Sequence, residues 1–142
     1  MSSLLQDLVF SHPKHALAGA YKAAGVPVFQ YLFDQANPWA AATHRAHHGC
    51  DLLYWFGAVD LPTPADRAVS AAMQTAMIDY TNGAEPWGRD ETHAFGPDGF
   101  VGAATDEEVR HRRRVDVYRI LDRFPAEEYL RLSEYVPALL PF

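Results

Sequence analysis

The sequence has few of the features that indicate secretion or a membrane. Its single cysteine, Cys50, excludes an internal disulfide, because a disulfide requires two thiols. No run of about 18 apolar residues is present, so we expect no membrane-spanning segment. Residues 1–7 lack the basic stretch followed by an apolar stretch that marks a secretory signal. We therefore predict a cytoplasmic protein.

Basic residues are scarce as well. The 142 residues include 12 Lys and Arg against 18 Asp and Glu, which gives a formal net charge of −6. An acidic chain is poorly suited to nucleic acids and to anionic membrane surfaces, so we expect neither as a partner. Hydrophobic residues make up 49% of the chain and charged residues 21%, which is typical of a globular protein. At about 150 residues per domain, the length predicts a single domain over residues 1–142.

The hydrophobic pattern predicts an α+β fold that is dominated by helices, with a small sheet of two or three strands. The clearest helix begins with Thr63 as its cap and ends at 82–83, because its apolar residues recur at intervals of three and four. Those apolar residues are Ala65, Ala68, Val69, Ala72, Met73, Ala76, Met77 and Tyr80. The β-rich residues 26–33 predict a buried strand, and 93–95 predict a short extended piece.

Four further helices are predicted towards the two ends of the chain. A short one covers residues 2–9, and a second one begins with Ser11 as its cap and ends at Ala24. Near the other end, one helix is expected over 105–124, and Pro125 begins the last one.

The main candidate site is a cluster of titratable side chains within eight residues. The cluster consists of His44, His47, His48 and Asp51. Histidine transfers protons near neutral pH, and His48 and Asp51 would share a helical face, where the carboxylate would orient the imidazole. We therefore predict His48 and Asp51 as catalytic residues. A polar loop with solvated histidines is the other interpretation of this cluster.

Two further interpretations of the same segment are weaker. His44, His48 and Asp51 would converge on a metal only if one turn were helical, and their spacing differs from that of the helical zinc motif. We therefore predict no metal and no cofactor. Cys50 lies two residues from His48, which points the two side chains apart on a helix, so we interpret it as a small buried residue rather than a nucleophile.

Aromatic residues are dense on both sides of the histidine cluster. Most of them are expected in the core, but a cluster this dense is also suited to line an apolar pocket. The residues predicted to bind an apolar small-molecule substrate are Tyr31, Trp39, His44, His47 and Trp55.

Several motifs, in the same order, resemble the C-terminal portion of type-B carboxylesterases and cholinesterases. The segment 48–57 resembles the catalytic-histidine segment of that family, in which an acidic residue follows the histidine three positions later. Residues 27–33 resemble a late strand of its sheet, and 7–10 resemble the segment ahead of it. Residues 82–83 with Trp87, 95–99 and 112–114 resemble the tail of fungal-type members.

The resemblance implies a part of an α/β-hydrolase fold in which His48 matches the catalytic histidine. Asp51 matches the acidic residue that supports the site. In the family, the nucleophile serine in its Gly-x-Ser-x-Gly elbow, the triad acid and the oxyanion-hole glycines lie upstream of the part that this chain resembles. None of the serines of this chain stands in such an elbow. These serines are Ser2, Ser3, Ser11, Ser70 and Ser133.

A histidine without a serine and oxyanion donors cannot perform acyl-enzyme chemistry. We therefore predict a small non-hydrolytic enzyme that performs dehydration, isomerisation or cyclisation by general acid–base chemistry, in natural-product biosynthesis. The alternatives are a non-catalytic ligand-binding or subunit-interaction module, or the histidine-bearing part of a hydrolase completed by another chain. Because the strand at 26–33 and the apolar residues 135–142 need cover, we also expect a homodimer.

Overall fold

Two sets of residues pack as separate compact units. The computed structural model describes residues 7–39, 46 and 49–138. We call the unit formed by Met1–Val28 and Asp106–Phe142 the helical unit, and the unit formed by Phe29–Thr105 the sheet unit. Helices dominate the described chain, and one small sheet completes an α+β structure, which confirms the predicted fold class. The single domain over residues 1–142 stays a prediction.

Short helices alternate with short strands along the described chain. In chain order the elements are a π-helical turn at Asp7–Ser11, α1 (His12–Ala23), β1 (Gln30–Phe33), α2 (Cys50–Phe56), α3 (Pro64–Thr81), β2 (Thr92–Phe95), β3 (Val101–Ala104), α4 (Asp106–Arg113), α5 (Val115–Leu121) and α6 (Ala126–Ala138). In the part of the chain covered by these ranges, no helix is long and apolar enough to cross a membrane.

The helical unit joins the first described residues to the last helices. The imidazole of His12 lies 2.8 Å from the Asp122 carboxylate, between Nε2 and Oδ1. The Tyr129 hydroxyl, on α6, donates to the backbone carbonyl of Leu8, a residue that is almost fully buried. Side-chain contacts far apart in sequence therefore hold this unit together.

Two predictions about helix ends in this unit are wrong. Ser11 does not cap α1, because it already has helical dihedral angles in the preceding turn and makes no side-chain cap. The helix expected over 105–124 is two helices, because Arg114 adopts a left-handed φ of +50° between α4 and α5. Most of the helix expected over 2–9 lies outside the described residues.

The sheet unit contains a three-stranded mixed sheet in the order β1-β2-β3. β1 is parallel to β2, and β2 is antiparallel to β3. The pairing aligns Gln30 with Thr92 and Phe33 with Phe95. The strand expected over 26–33 therefore forms only at 30–33, because β2 offers four residues to pair with. The predicted extended piece at 93–95 is confirmed as part of β2.

The core of the sheet unit lies between the sheet and helices α2 and α3. Cys50 and Tyr54 of α2 are fully buried against Val69 and Met73 of α3, which confirms Cys50 as a small buried residue. Thr63 caps α3, since its hydroxyl accepts from the backbone N–H of residue 66. The predicted apolar face is confirmed in its middle but not throughout. The exceptions are Ala68, Met77 and Tyr80, which are exposed, and the polar residues Asp66 and Ser70, which are buried.

The turn after β2 allows a close approach that only glycine permits. Gly96 has a φ of +86°, and a Cβ atom there would lie 2.2 Å from the backbone nitrogen of Gln35. It would also lie 2.6 Å from the Cα of that residue. The chain that leaves β1 and the chain that leaves β2 therefore touch through their backbones at this point.

We expect Gly96→Ala to lower the free energy of unfolding by about 3 kcal/mol or more, because the methyl group overlaps backbone in addition to the left-handed φ. Gly83→Ala is the matched control, since Gly83 has a φ of +82° and no atom within 4 Å of its Cβ position. The free energy of unfolding of this control should fall by only about 1–2 kcal/mol. Urea denaturation measures both, and equal losses would contradict the overlap.

Candidate functional site

A tyrosine of the sheet holds the predicted catalytic carboxylate. Asp51 lies in the first turn of α2, and the hydroxyl of Tyr31, on β1, donates to its Oδ2 over 3.0 Å. Trp55 lies one helical turn after Asp51 and therefore on the same face. Its Nε1 donates to the Tyr31 hydroxyl over a longer distance of 3.4 Å. The three side chains form a chain of hydrogen bonds that ends on the carboxylate.

The environment keeps the phenol of Tyr31 protonated. Burial raises its pKa, the hydrogen bond from Trp55 acts in the opposite direction, and the charge and hydrogen bond of Asp51 raise it further. The net result is a pKa above the ordinary value of tyrosine. The phenol of Tyr31 therefore keeps its hydrogen at neutral pH and is able to donate it to Asp51.

An aromatic cluster surrounds this hydrogen-bonded chain. The rings of Tyr31 and Trp55 meet edge to face with centroids 5.6 Å apart, and Phe95 lies about equally far from both. The ring of Trp87 meets those of Tyr31 and Phe95 edge to face and stacks on His93, at 5.1 Å and an interplanar angle of 16°. The sequence indicated Trp87 only within the segment that resembles the tail of fungal-type members and His93 only within a short extended piece, and it placed neither residue in the candidate site.

The predicted site residues fall into two groups. Asp51, Tyr31 and Trp55 come together through their hydrogen bonds. Trp39 is half exposed, at 49%, and its backbone N–H donates to Asn37 Oδ1 over 2.9 Å. The other predicted members, His44, His47 and His48, lie outside the described residues, so the predicted pairing of Asp51 with His48 stays a prediction.

The helix start limits how that pairing can form. Helix α2 begins at Cys50, after Gly49 with a left-handed φ of +78°, so His48 precedes the helix. Helical spacing therefore does not by itself place His48 and Asp51 on one face. Among the residues that the structure describes, no three His, Cys, Asp or Glu side chains are arranged to hold a metal ion.

A second carboxylate, which the sequence did not predict, lies buried on α3 and is hydrogen-bonded to α2. Asp66 is 3% exposed on α3. Its Oδ1 accepts from Gln35 Nε2 over 2.7 Å and from the Tyr54 hydroxyl over 3.0 Å. Its Oδ2 accepts from the hydroxyl and the backbone N–H of Thr63, over 2.6 and 3.4 Å. The Thr-x-x-Asp spacing of a capping box was the available signal, since it pairs Thr63 with Asp66.

Hydrogen bonds keep Asp66 charged in spite of its burial. Burial alone raises its pKa, but the hydrogen bonds from Thr63, Gln35 and Tyr54 outweigh this effect and lower the pKa below its ordinary value. For Tyr54, burial and then the hydrogen bond to Asp66 raise the pKa well above the usual value of tyrosine. The donor and the acceptor are therefore each held in the protonation state that the contact requires.

Two comparisons with known proteins bear on this site. A sequence model described as the carboxylesterase family matches residues 1–102, which include Asp51 and its neighbours. The chain is also similar to Lipase 1 of Yarrowia lipolytica (strain CLIB 122 / E 150), at 26% identity over 128 residues. That alignment covers 90% of this chain and 26% of the lipase, so the chain spans about a quarter of the length of this curated relative.

We expect Tyr31→Phe to lower the free energy of unfolding by about 1 kcal/mol, because Asp51 loses its hydroxyl donor while the aromatic packing stays. Tyr80→Phe is the matched control, since that side chain is exposed at 58%, and its change should stay within about 0.5 kcal/mol. Urea midpoints at pH 7 compare the two variants. Indistinguishable midpoints would show that the Tyr31 hydroxyl contributes nothing.

Asp66 should make the protein sensitive to acid. Because its pKa is lower in the folded state, it contributes stability that is fully present above the pKa of the unfolded chain, about 3.9, and lost as pH falls through the folded pKa. At pH 7, Asp66→Asn should lower the free energy of unfolding by about 2 kcal/mol or more, because its amide group faces donors. On acidification, the free energy of unfolding of this variant should fall by less than that of the wild type. Urea unfolding between pH 7 and pH 2.5 measures both. Parallel pH profiles for the two proteins would contradict this role of the charge.

Proposed function

Because this chain belongs to the carboxylesterase family, we propose that it contributes the histidine general base of an ester-hydrolysing site. The support is the family match itself, which covers His48 and continues through Asp51 and the strands around it. In this proposal the serine nucleophile and the triad acid come from sequence outside these residues, in the same or in another polypeptide. The substrate class is a carboxylic ester, in keeping with the family and with the similarity to Lipase 1.

His48 performs two proton transfers in the proposed reaction. It takes the proton of the serine hydroxyl as the serine oxygen attacks the ester carbonyl, and it gives that proton to the departing alcohol oxygen when the ester bond breaks. The same cycle, with water as the nucleophile, then releases the acid and restores the serine. In this proposal Asp51, which lies in the first turn of α2 and accepts from the Tyr31 hydroxyl, supports the site, while the ring N–H of His48 binds the external triad acid.

The serines of this chain support an external nucleophile. None of them lies in a Gly-x-Ser-x-Gly elbow. Ser70 is buried, and its hydroxyl donates to the backbone carbonyl of Tyr54 over 2.8 Å. A buried hydroxyl engaged in this way is a structural group rather than a nucleophile.

The absence of a serine elbow from these 142 residues also favours a second candidate function. In this second candidate the chain is a small enzyme that uses His48 for general acid–base chemistry, such as dehydration, isomerisation or cyclisation, on an apolar small molecule of natural-product biosynthesis. The apolar aromatic cluster around Tyr31 and Trp55 supports an apolar substrate. A homodimer belongs to this candidate, and sedimentation at micromolar concentration tests it, since a folded monomer would exclude the dimer.

His48→Ala is the decisive variant for both candidates. We expect a loss of about 10²-fold or more in kcat, because general acid–base catalysis contributes about that much. The protein is purified from its native host without denaturation, together with anything bound to it, and is assayed for hydrolysis of p-nitrophenyl butyrate. His111→Ala is the control, because His111 is an exposed residue of α4.

A fluorophosphonate probe, which labels activated serines, separates the two candidates. Labelling and hydrolysis that both disappear in His48→Ala support the hydrolase. Turnover of an apolar substrate without labelling, and insensitive to the probe, supports the serine-free enzyme instead. Full activity of His48→Ala would exclude both candidate functions and would support a non-catalytic module instead.

A further inference from the structure

We propose that Asp66 is a positioning residue for the histidine segment, which we define as residues 36–49. This inference rests on the proposed role of His48. The carboxylate of Asp66 lies on α3, outside the segment, yet hydrogen bonds connect it to the chain on both sides of the segment. One buried group therefore connects the residue before the segment with the helix after it.

The upstream end is held through Gln35, which is 5% exposed. Its Nε2 donates to Asp66 Oδ1 over 2.7 Å, while its Oε1 accepts from the backbone N–H of Gly99 over 2.9 Å. The preceding residue is also fixed, because the backbone N–H of Asp34 donates to the carbonyl of Phe95 over 2.8 Å. The last residue before the segment is therefore tied at once to α3 and to the turn between β2 and β3.

The downstream end is held through Tyr54 of α2. Its hydroxyl has one hydrogen, and the shorter of its two acceptor contacts is Asp66 Oδ1 at 3.0 Å, against 3.3 Å to the carbonyl of Ala36. The backbone carbonyl of Tyr54 accepts from Ser70 and Gln74 of α3, over 2.8 and 3.3 Å. Helix α2, which follows the segment, is therefore hydrogen-bonded to α3 through both the backbone carbonyl and the side chain of Tyr54.

A carboxylate suits this junction better than any neutral side chain. Four donor groups converge on its two oxygens, which matches the acceptor capacity of an ionised carboxyl. An amide of the same shape has one acceptor oxygen and a donor NH₂ group, so it meets one pair of donors with hydrogens of its own. In Asp66→Asn, one of the two carboxylate oxygens is replaced by an NH₂ group, so the donors at that atom lose their hydrogen bonds. The side chain keeps its size, so no large void forms.

A positioning role predicts a loss in turnover rather than in substrate binding. In the natively purified assembly, we expect Asp66→Asn to lower kcat about tenfold with KM within about twofold, because a small misplacement of a catalytic group reduces the chemical step. Val69→Ala is the matched control for stability, since Val69 is a fully buried apolar residue on the same helix. It should lower the melting temperature comparably and keep kcat within about twofold.

Hydrogen exchange of the purified chain gives a second readout that needs no activity. We expect exchange at 34–36 and 50–56 to rise about tenfold in Asp66→Asn, with residues 12–23 of the other unit unchanged. If Asp66→Asn fails to fold, Tyr54→Phe replaces it, because that variant removes only the downstream donor and should loosen 50–56 alone.

The outcomes separate this inference from the function on which it rests. Exchange that rises selectively at the two ends, together with the kcat loss, supports the positioning role. Unchanged exchange at the ends, or an equal kcat loss in Val69→Ala, overturns it. Full activity of His48→Ala overturns the proposed function alone, since the exchange measurement still decides whether Asp66 holds the segment.

Discussion

A charged carboxylate buried among four donors is the contact on which the sheet unit depends. Removing a carboxylate from water is costly, and only hydrogen bonds to the ionised form repay that cost inside the protein. The donors come from three places: the chain after β1, helix α2 and the residue before α3. Asp66 therefore connects these three parts of the sheet unit through hydrogen bonds. The close approach at Gly96 follows from the same arrangement, because it brings Gln35 against the turn after β2.

Two faces of the short helix α2 make different contacts. Cys50 and Tyr54, four residues apart, point into the core towards α3. Asp51 and Trp55, also four residues apart and rotated by about 100° from the first pair, meet Tyr31 of the sheet. Seven residues are thus enough to fix the helix on one side and to present a carboxylate on the other. The position of Asp51 is therefore set by core packing as well as by its own hydrogen bond.

The sequence allowed prediction of what depends on neighbours along the chain. The cap at Thr63, the apolar period in the middle of α3 and the burial of Cys50 are all local or compositional signals, and the structure confirms them. The length of β1 was not predictable in this way, because it is set by a partner strand some sixty residues later. The break at Arg114 had no glycine to mark it.

The polar contacts of the site could not be predicted from the sequence either, because they also join residues that lie far apart along the chain. The pattern on α3 marked apolar positions, and nothing local to Asp66 shows that Gln35 and Tyr54 donate to it from 31 and 12 residues away. The spacing from His48 and the family resemblance both indicated Asp51, but its donor Tyr31 lies 20 residues earlier and is predicted from the sequence only as a substrate-binding aromatic.

The two carboxylates of the sheet unit have different acceptor capacity, and this difference assigns their roles. An ionised carboxyl offers about four acceptor sites. Asp66 has four donors within hydrogen-bond distance, so it has no capacity for a further partner and acts by holding the chain in place. Asp51 is half-buried, and among the described residues its hydrogen-bond donor is the Tyr31 hydroxyl, at one oxygen. A carboxylate that orients an imidazole needs an acceptor site directed at the ring N–H. Of the two, Asp51 is therefore the carboxylate suited to orient His48 in the proposed serine-free enzyme, where no triad acid takes that N–H, while the proposed role of Asp66 is to hold the chain on both sides of the histidine segment.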